Sequence, residues 1–478
     1  MKSRLPIQTG FLLSIISLFI VSGCMVGPNY KRPQTAADTN EGYVYAGKDL
    51  QDVNDVGRVG RWWERFGDST TTELVRQALS NNNNLQAAAA RVLQAQALLA
   101  EIRGQQWPDV SYNFNRTRAK TSFNFGGAGR FSNLNTTFSQ GITVSYVADI
   151  FGKLKRRERA AWADLFAAEA NGQALVYAVI SSVVKARADI ATIQRRLAIA
   201  RANTENWQES LEIIERRYGR GLVGPLDVRL ARENLLASKA AEIIIELSLS
   251  KAQNALDVLL GRRPASGEQL PQTLPELPEL GPIPVGLPAL LLDRRPDVRA
   301  AELALEASNE QIGVSIAQLY PDLTLTGTLG RSSDRWRDIW LHETEIYSAI
   351  FRLSQPIFKG GQLRARVDAA KARYAELAAN YAETVLTALR EVEDALVNEQ
   401  MLARQLNALR RRLDEAVAAE KLARERYVRG VGRLIIVLET ERRRRIAENE
   451  LNNVKGQLWA GRVDLFLALG GDWTDEEG

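Results

Sequence analysis

Two stretches of this chain are free of proline, exceed sixty residues and repeat in sevens, which no single compact core accommodates. In Lys153–Gly219, Val176, Val183, Ile190, Leu197, Thr204, Leu211 and Tyr218 are spaced by seven. Val179, Ala186, Ile193, Ala200, Trp207 and Ile214 form a second row three residues on. Apolar rows in this arrangement are the a/d seam of helices that supercoil left-handedly. As one helix the segment would run about 100 Å, at about 1.5 Å per residue. Arg364–Arg429 has Val385, Val392, Leu406 and Leu413 on one such register, interrupted by Glu399. Helices of that length predict a tube or rod.

The residues around them repeat. Gln106-Trp107-Pro108-Asp109-Val110 matches Leu319-Tyr320-Pro321-Asp322-Leu323, and Asp149-Ile150-Phe151-Gly152 resembles Pro356-Ile357-Phe358-Lys359. Arg217-Tyr218-Gly219-Arg220-Gly221 matches Arg426-Tyr427-Val428-Arg429-Gly430. The offsets are 213, 207 and 209 residues. That period is far longer than a solenoid repeat and predicts duplication of a whole unit. Eight of the fifteen prolines lie between Pro264 and Pro296, a linker between the halves. The first unit covers 79–263, with strands at about 108–118 and 136–148 and long helices at about 153–219 and 226–260. The second covers 297–471, with strands at about 322–331 and 346–354 and helices at about 364–429 and 434–469. The Ala-rich stretches Asn84–Gln105 and Asp297–Gln318 precede the strands as helices.

The strands alternate. Val110, Tyr112 and Phe114 share a face, as do Ile142, Val144 and Tyr146 beyond a loop bearing Gly126, Gly127 and Gly129. Leu323, Leu325 and Leu329, then Tyr347, Ala349, Phe351 and Leu353, do the same. Runs of about ten residues suit a transmembrane strand. Outside the N-terminal segment there is no apolar run long enough for a membrane helix, so membrane entry by the rest of the chain would be by β-structure. Four strands fall short of the smallest barrels, about eight, so copies must pool strands: two would give eight, three would give twelve.

The N-terminus sets the compartment. Lys2 and Arg4 precede an apolar run, Phe11 to Val21, which ends in Val21-Ser22-Gly23-Cys24. This is the pattern of a secretory signal with a bacterial lipobox, predicting a signal peptide over 1–23, lipid on Cys24 and a lipidated segment over 24–78. Met25, rather than Asp, after the cysteine favours the outer membrane. Removing Lys2 and Arg4 lowers the formal charge from +5 to +3, and with export this speaks against nucleic acid as partner. Cys24 is the sole cysteine and His342 the sole histidine. No Ser-His-Asp set, metal cluster or phosphate loop stands out, so an enzyme is disfavoured and no cofactor beyond the lipid is expected.

Three blocks carry a family resemblance: Val26-Gly27-Pro28-Asn29-Tyr30-Lys31-Arg32-Pro33, Trp62-Trp63-Glu64-Arg65-Phe66-Gly67-Asp68, and Leu291-Leu292-Asp293-Arg294-Arg295-Pro296-Asp297-Val298-Arg299-Ala300-Ala301-Glu302. With them the chain, from Cys24 to about Gly471, resembles the lipoprotein branch of the TolC family of outer-membrane channels. The resemblance implies an α+β membrane protein. Its homotrimer would share a twelve-stranded β-barrel, with long antiparallel helices forming a periplasmic α-barrel. It also implies an exit duct of a tripartite efflux pump, with a periplasmic adaptor and an inner-membrane RND-type pump as partners. Residues 472–478 are left as a tail.

The resemblance singles out the turns between paired long helices, Arg217–Arg232 and Arg426–Arg442. Val437-Leu438-Glu439 matches the family motif whose final acid lines the periplasmic constriction. Glu439 is thus the first gate candidate, with Arg442 one turn later as its partner and Asp227 at the corresponding place in the first turn. Ile436 stands where the family often has another acid, which points to an apolar contribution. Arg217, Tyr218, Gly221, Arg426, Tyr427 and Gly430 are the candidate adaptor contacts. The basic runs Lys153–Arg157 and Arg442–Arg445 read as solvated faces with no cargo role, Arg442 excepted. A duct for secreted polypeptides and a lipid-anchored coiled-coil spacer without a pore are the competing readings. Three methionines argue against a Met-lined copper path.

Overall fold

A computed structural model describes residues 25–38, 42–45, 61–124, 130–266, 270–275 and 291–471. The lipobox with Cys24, the glycines 126, 127 and 129, most of the proline-rich linker and the tail lie outside the described residues. Seven α-helices of more than one turn occur among those described: α1 (Ser69–Asn81), α2 (Asn83–Gly104), α3 (Lys153–Gly219), α4 (Pro225–Leu259), α5 (Pro296–Ala317), α6 (Gln362–Val428) and α7 (Leu434–Ala468). Four strands, β1 (Asp109–Asn124), β2 (Arg130–Ala148), β3 (Asp322–Ser333) and β4 (Glu345–Ser354), form one antiparallel sheet in the order β1-β2-β3-β4. Each half thus contributes a helix, a strand pair and two long helices, and the long helices have matching lengths, 67 and 35 residues in both.

The chain forms two compact units, and neither is a repeat. Unit 1 takes in Met1–Pro33, Val92–Ala168 and Ala301–Tyr381; unit 2 takes in Gln34–Arg91, Glu169–Ala300 and Ala382–Gly478. Each draws on both halves.

Unit 1 holds the sheet. Its register sets Tyr112 opposite Ile142, Ile142 opposite Leu329, and Leu329 opposite Tyr347, so the alternating apolar rows fall on one face. That face is uncovered: Tyr347 is 88% exposed. β1 and β2 pair beyond the apolar rows, out to Asn124 opposite Arg130. The backbone ladder continues where the side-chain alternation has lapsed, which is why periodicity alone gives shorter strands. The Val26–Pro33 block is tied down here. Arg156 is fully buried and donates to both carboxylate oxygens of Glu310 at 2.9 Å, to the Val26 carbonyl at 3.1 Å and to the Gly27 carbonyl at 3.0 Å. Arg32 forks onto Glu302 at 2.7 and 2.8 Å. The reading of 153–157 as a solvated face fails at Arg156. A charge so buried needs this complete set of acceptors.

Unit 2 is built on the heptad seam. Val183 and Ile190 are fully buried, and Val179, Leu197, Trp207, Leu211 and Ile214 nearly so. Around the seam sit Trp62, Trp63 and Phe66, with Phe66 4.8 Å from Trp459 and Trp62 stacked on Phe466 at 5.4 Å. Asp68 ends that block and caps α1, accepting from the Thr70 amide at 3.3 Å and from the buried Arg187 at 3.2 Å. Arg295 forks onto Asp297 at 2.7 and 3.1 Å and reaches Glu391 at 2.7 Å, fastening the start of α5 to α6. Glu399, the break in the α6 heptad, accepts from Arg462 of α7 at 2.6 Å. Two of the three family blocks are therefore packing devices of this unit.

Candidate functional site at the paired helix turns

Both long-helix pairs in unit 2 reverse direction through the same backbone solution. At the end of α3 the Leu222 amide bonds the Arg217 carbonyl at 3.0 Å and the Gly221 amide bonds the Tyr218 carbonyl at 2.9 Å. At the end of α6 Val431 bonds Arg426 and Gly430 bonds Tyr427, both at 3.0 Å. These nested bonds need a left-handed residue, and Gly221 and Gly430 supply it at φ +72° and +77°. The repeated Arg-Tyr-x-Arg-Gly motif is thus a helix stop. Gly432, which the motif comparison missed, is held by sterics: a Cβ there would stand 2.9 Å from the Tyr427 nitrogen.

The second turn brings the predicted pair together. Arg442 forks onto Glu439, both bonds at 2.9 Å. Arg443, four residues on, also donates to Glu439 at 2.7 Å. These two arginine contacts hold the Glu439 carboxyl far below its usual range, at about 2. A paired Glu439 carries one negative charge against two positive ones, so this patch is cationic. Sequence spacing shows both partners at i+3 and i+4; the family motif drew attention to one of them.

Asp227 is occupied differently. Its carboxylate accepts from the Gly224 amide at 3.2 Å, capping α4 behind Pro225. Ile436 is about half exposed. Arg217 lies over the Tyr427 ring at 4.7 Å, joining the two turns, and the buried Tyr427 hydroxyl has no hydrogen-bond partner among the described residues. Below them Trp207, Leu211, Ile214, Val228, Ala231 and Leu235 form a small core flanked by Leu434 and Leu438. Leu222, Leu226, Val428 and Val431 at the turns are each two-thirds or more exposed.

The rest of the basic run is bound up within the unit. Arg444 pairs with Glu420 and with Glu448, the latter at 2.9 Å, and Arg445 lies over Trp207 at 5.5 Å. Arg424 of α6 pairs with Glu441 of α7 at 2.8 Å. Only Arg442 and Arg443 of the run are well exposed, so the run divides between lock and surface. Among the described residues no group of three or more His, Cys, Asp and Glu side chains is placed to hold a metal ion.

Comparison with known proteins identifies the fold. The family model described as outer membrane efflux protein matches residues 74–262 and 287–471, one segment in each half. The solvent efflux pump outer membrane protein SrpC of Pseudomonas putida is 30% identical over 468 residues, 97% of this chain and 98% of its own. The probable outer membrane lipoprotein SilC of Salmonella typhimurium is 28% identical over 97% of this chain and 99% of its own. The solved structure of the outer-membrane channel OprN superposes with a TM-score of 0.84 at 31% identity, covering 94% of this chain and all of that one. A duplicated chain of four strands and long helix pairs, matched over nearly its whole length, belongs to the outer membrane efflux protein family and is an outer-membrane efflux channel.

Proposed function

We propose that three copies of this chain, each anchored by lipid on Cys24, form the exit duct of a tripartite pump. A periplasmic adaptor docks on the helix turns, and an inner-membrane RND-type pump drives small molecules through. The observation that carries this is the sheet. It has one apolar, uncovered face, and β1 and β4 each leave an edge without a partner strand among the described residues. Open edges are untenable in a bilayer, so the strands must be pooled. Three chains give the twelve strands that the family resemblance implies. The relative named for solvent efflux supports small, apolar cargo.

Within that duct, Glu439, Arg442 and Arg443 of three chains would meet near the axis as a ring of paired charges, with Ile436 beside it. Such a ring closes by pairing and opens when the pairs part. The exposed Leu222, Leu226, Val428 and Val431 would meet the adaptor, on a platform shaped by Arg217, Tyr218, Gly221, Arg426, Tyr427 and Gly430. Native mass of the protein extracted from outer membranes, combined with single-channel recording, tests the reading. A three-chain, acylated and ion-conducting species is expected. A lone chain without conductance would return the protein to a non-pore spacer. Bulky residues at Gly221 or Gly430 should abolish pump activity while trimers persist; full activity would remove these turns from the docking site.

A further inference from the structure

The sheet face that carries the apolar rows does not end in neutral polar residues. On β1 the row Val110, Tyr112, Phe114 continues at every second position as Arg116, Arg118 and Lys120. All three cations are exposed, and none has a carboxylate partner among the described residues. Arg116 lies over the Phe138 ring at 5.6 Å. Trp336, from the connection between β3 and β4, packs on the same spot, 5.4 Å from Phe114 and 5.8 Å from Phe138. Trp340 stands beside it, 60% exposed. Of the four acids on or beside that connection, Glu345 is held by Arg331 at 3.1 Å and His342 at 3.0 Å and Asp338 by Arg337 at 3.4 Å, while Asp334 and Glu343 form no ion pair with the three cations among the described residues.

The position of this cluster is defined by the chain. The four α-helices next to the strands in the chain, α2, α3, α5 and α6, all meet the sheet at one end, near Asp109, Ala148, Asp322 and Ser354. The cations lie toward the other end, which on the proposed reading is the outer leaflet. From the exposed Trp107 to Arg116 the chain climbs roughly 23 Å, at about 3.3 Å per residue and a tilt of about 40°. That is close to the apolar band of outer-membrane barrels, about 25 Å tall and bounded by aromatic residues. Lysine and arginine on the lipid face are costly at mid-bilayer and nearly free at the border, so the row marks the headgroup level.

We propose that Arg116, Arg118 and Lys120, with Trp336 and Trp340 below them, form a binding site for a phosphorylated lipid of the outer leaflet. The acyl chains lie along the tyrosine and leucine rows, and the phosphate is held by the cation ladder. Same-face cations on a strand stand about 7 Å apart, so neighbouring side chains converge on one phosphate or divide two between them. Three cations without a carboxylate partner among the described residues, set beside an apolar surface, suit an anionic amphiphile better than a zwitterionic one.

This rests on the channel reading, and one experiment separates the two. The purified full-length protein is reconstituted for single-channel recording, and native mass spectrometry follows retention of bis-phosphorylated lipid A, its dephosphorylated form and phosphatidylcholine. The wild type should retain the bis-phosphorylated lipid preferentially. R116Q/R118Q/K120Q should weaken retention by about tenfold or more, while R116K/R118K keeps it, since lost charge-assisted contacts are involved. Conductance should persist in both variants. Equal retention of the three lipids by a conducting wild type, or undiminished retention by the triple variant, would overturn the lipid site and leave the channel standing. Absence of conductance in the wild type would overturn the channel itself. If the triple variant does not assemble, the wild-type preference for the phosphorylated lipid decides the matter.

Discussion

At the residue scale, Glu439 is the most informative side chain. Its carboxylate is shared between Arg442 and Arg443, so its loss unmasks two cations. Glu439→Ala should therefore raise single-channel conductance and shift ion selectivity toward anions, read from reversal potentials in a salt gradient; an unchanged channel on both counts would exclude it from the constriction. The pH dependence follows from the direction of its shift. A carboxyl held below its ordinary value of 4.5 favours the paired state above that value and loses the benefit as pH falls toward about 2. Conductance should consequently show no Glu439 titration between about pH 5 and 8. A transition near neutrality that vanishes in Glu439→Gln would contradict the pairing seen here. A second residue-scale constraint lies in the sheet, where Gly141 and Gly330 face each other. A Cβ on Gly330 would stand 2.2 Å from the Gln140 carbonyl oxygen, which no rotamer relieves. Gly330→Val should abolish assembled protein in outer membranes, measured against a tolerated exposed site such as Leu353→Val.

At the element scale, the long helices show how a heptad copes with a polar intruder. Glu399 breaks the α6 row, and Arg462 of α7 answers it with both side chains largely sheltered. Arg462→Leu alone should destabilise unit 2 by about 3 kcal/mol, because it strands a buried carboxylate, while Glu399→Leu/Arg462→Leu should recover most of that loss. Thermal melting of the helical circular-dichroism signal checks this, and an additive double variant would mean that the two side chains act independently. Arg295 and Asp297 work similarly. Burial alone would raise the Asp297 carboxyl, but the forked Arg295 contact overrides it and holds it low. Its contribution is present above the ordinary carboxylate range and fades in acid.

At the scale of the whole molecule, duplication and compaction follow different boundaries. The repeats are consecutive in sequence, yet each compact unit takes pieces of both. The residues after Cys24 are locked into unit 1 by Arg156, Glu310 and the carbonyls of Val26 and Gly27. Arg156→Met would leave Glu310 buried and unpaired and release that segment. Limited proteolysis should then cleave near Pro28 in the assembled variant but not in the wild type; equal resistance would show that Arg32–Glu302 suffices to hold it.

Periodicity and spacing set out the repeated part of the element order, long helices from sevens, strands from twos and a duplication from three matched motifs, but did not reveal helix α1 over Ser69–Asn81. These signals are local, and local geometry produces them. The family blocks also marked places that matter, without saying how. Only the tertiary structure showed that Trp62, Phe66, Asp68 and Arg295 are packing devices and that Asp227 is a cap. It also showed that Arg156 is buried while Arg442 is exposed, although both belong to equally basic runs. Nothing in a run of arginines states which one meets a buried carboxylate, because that partner lies 154 residues away for Arg156 and three away for Arg442. Burial, and with it the sign and strength of every charge, is decided by what the distant chain brings alongside.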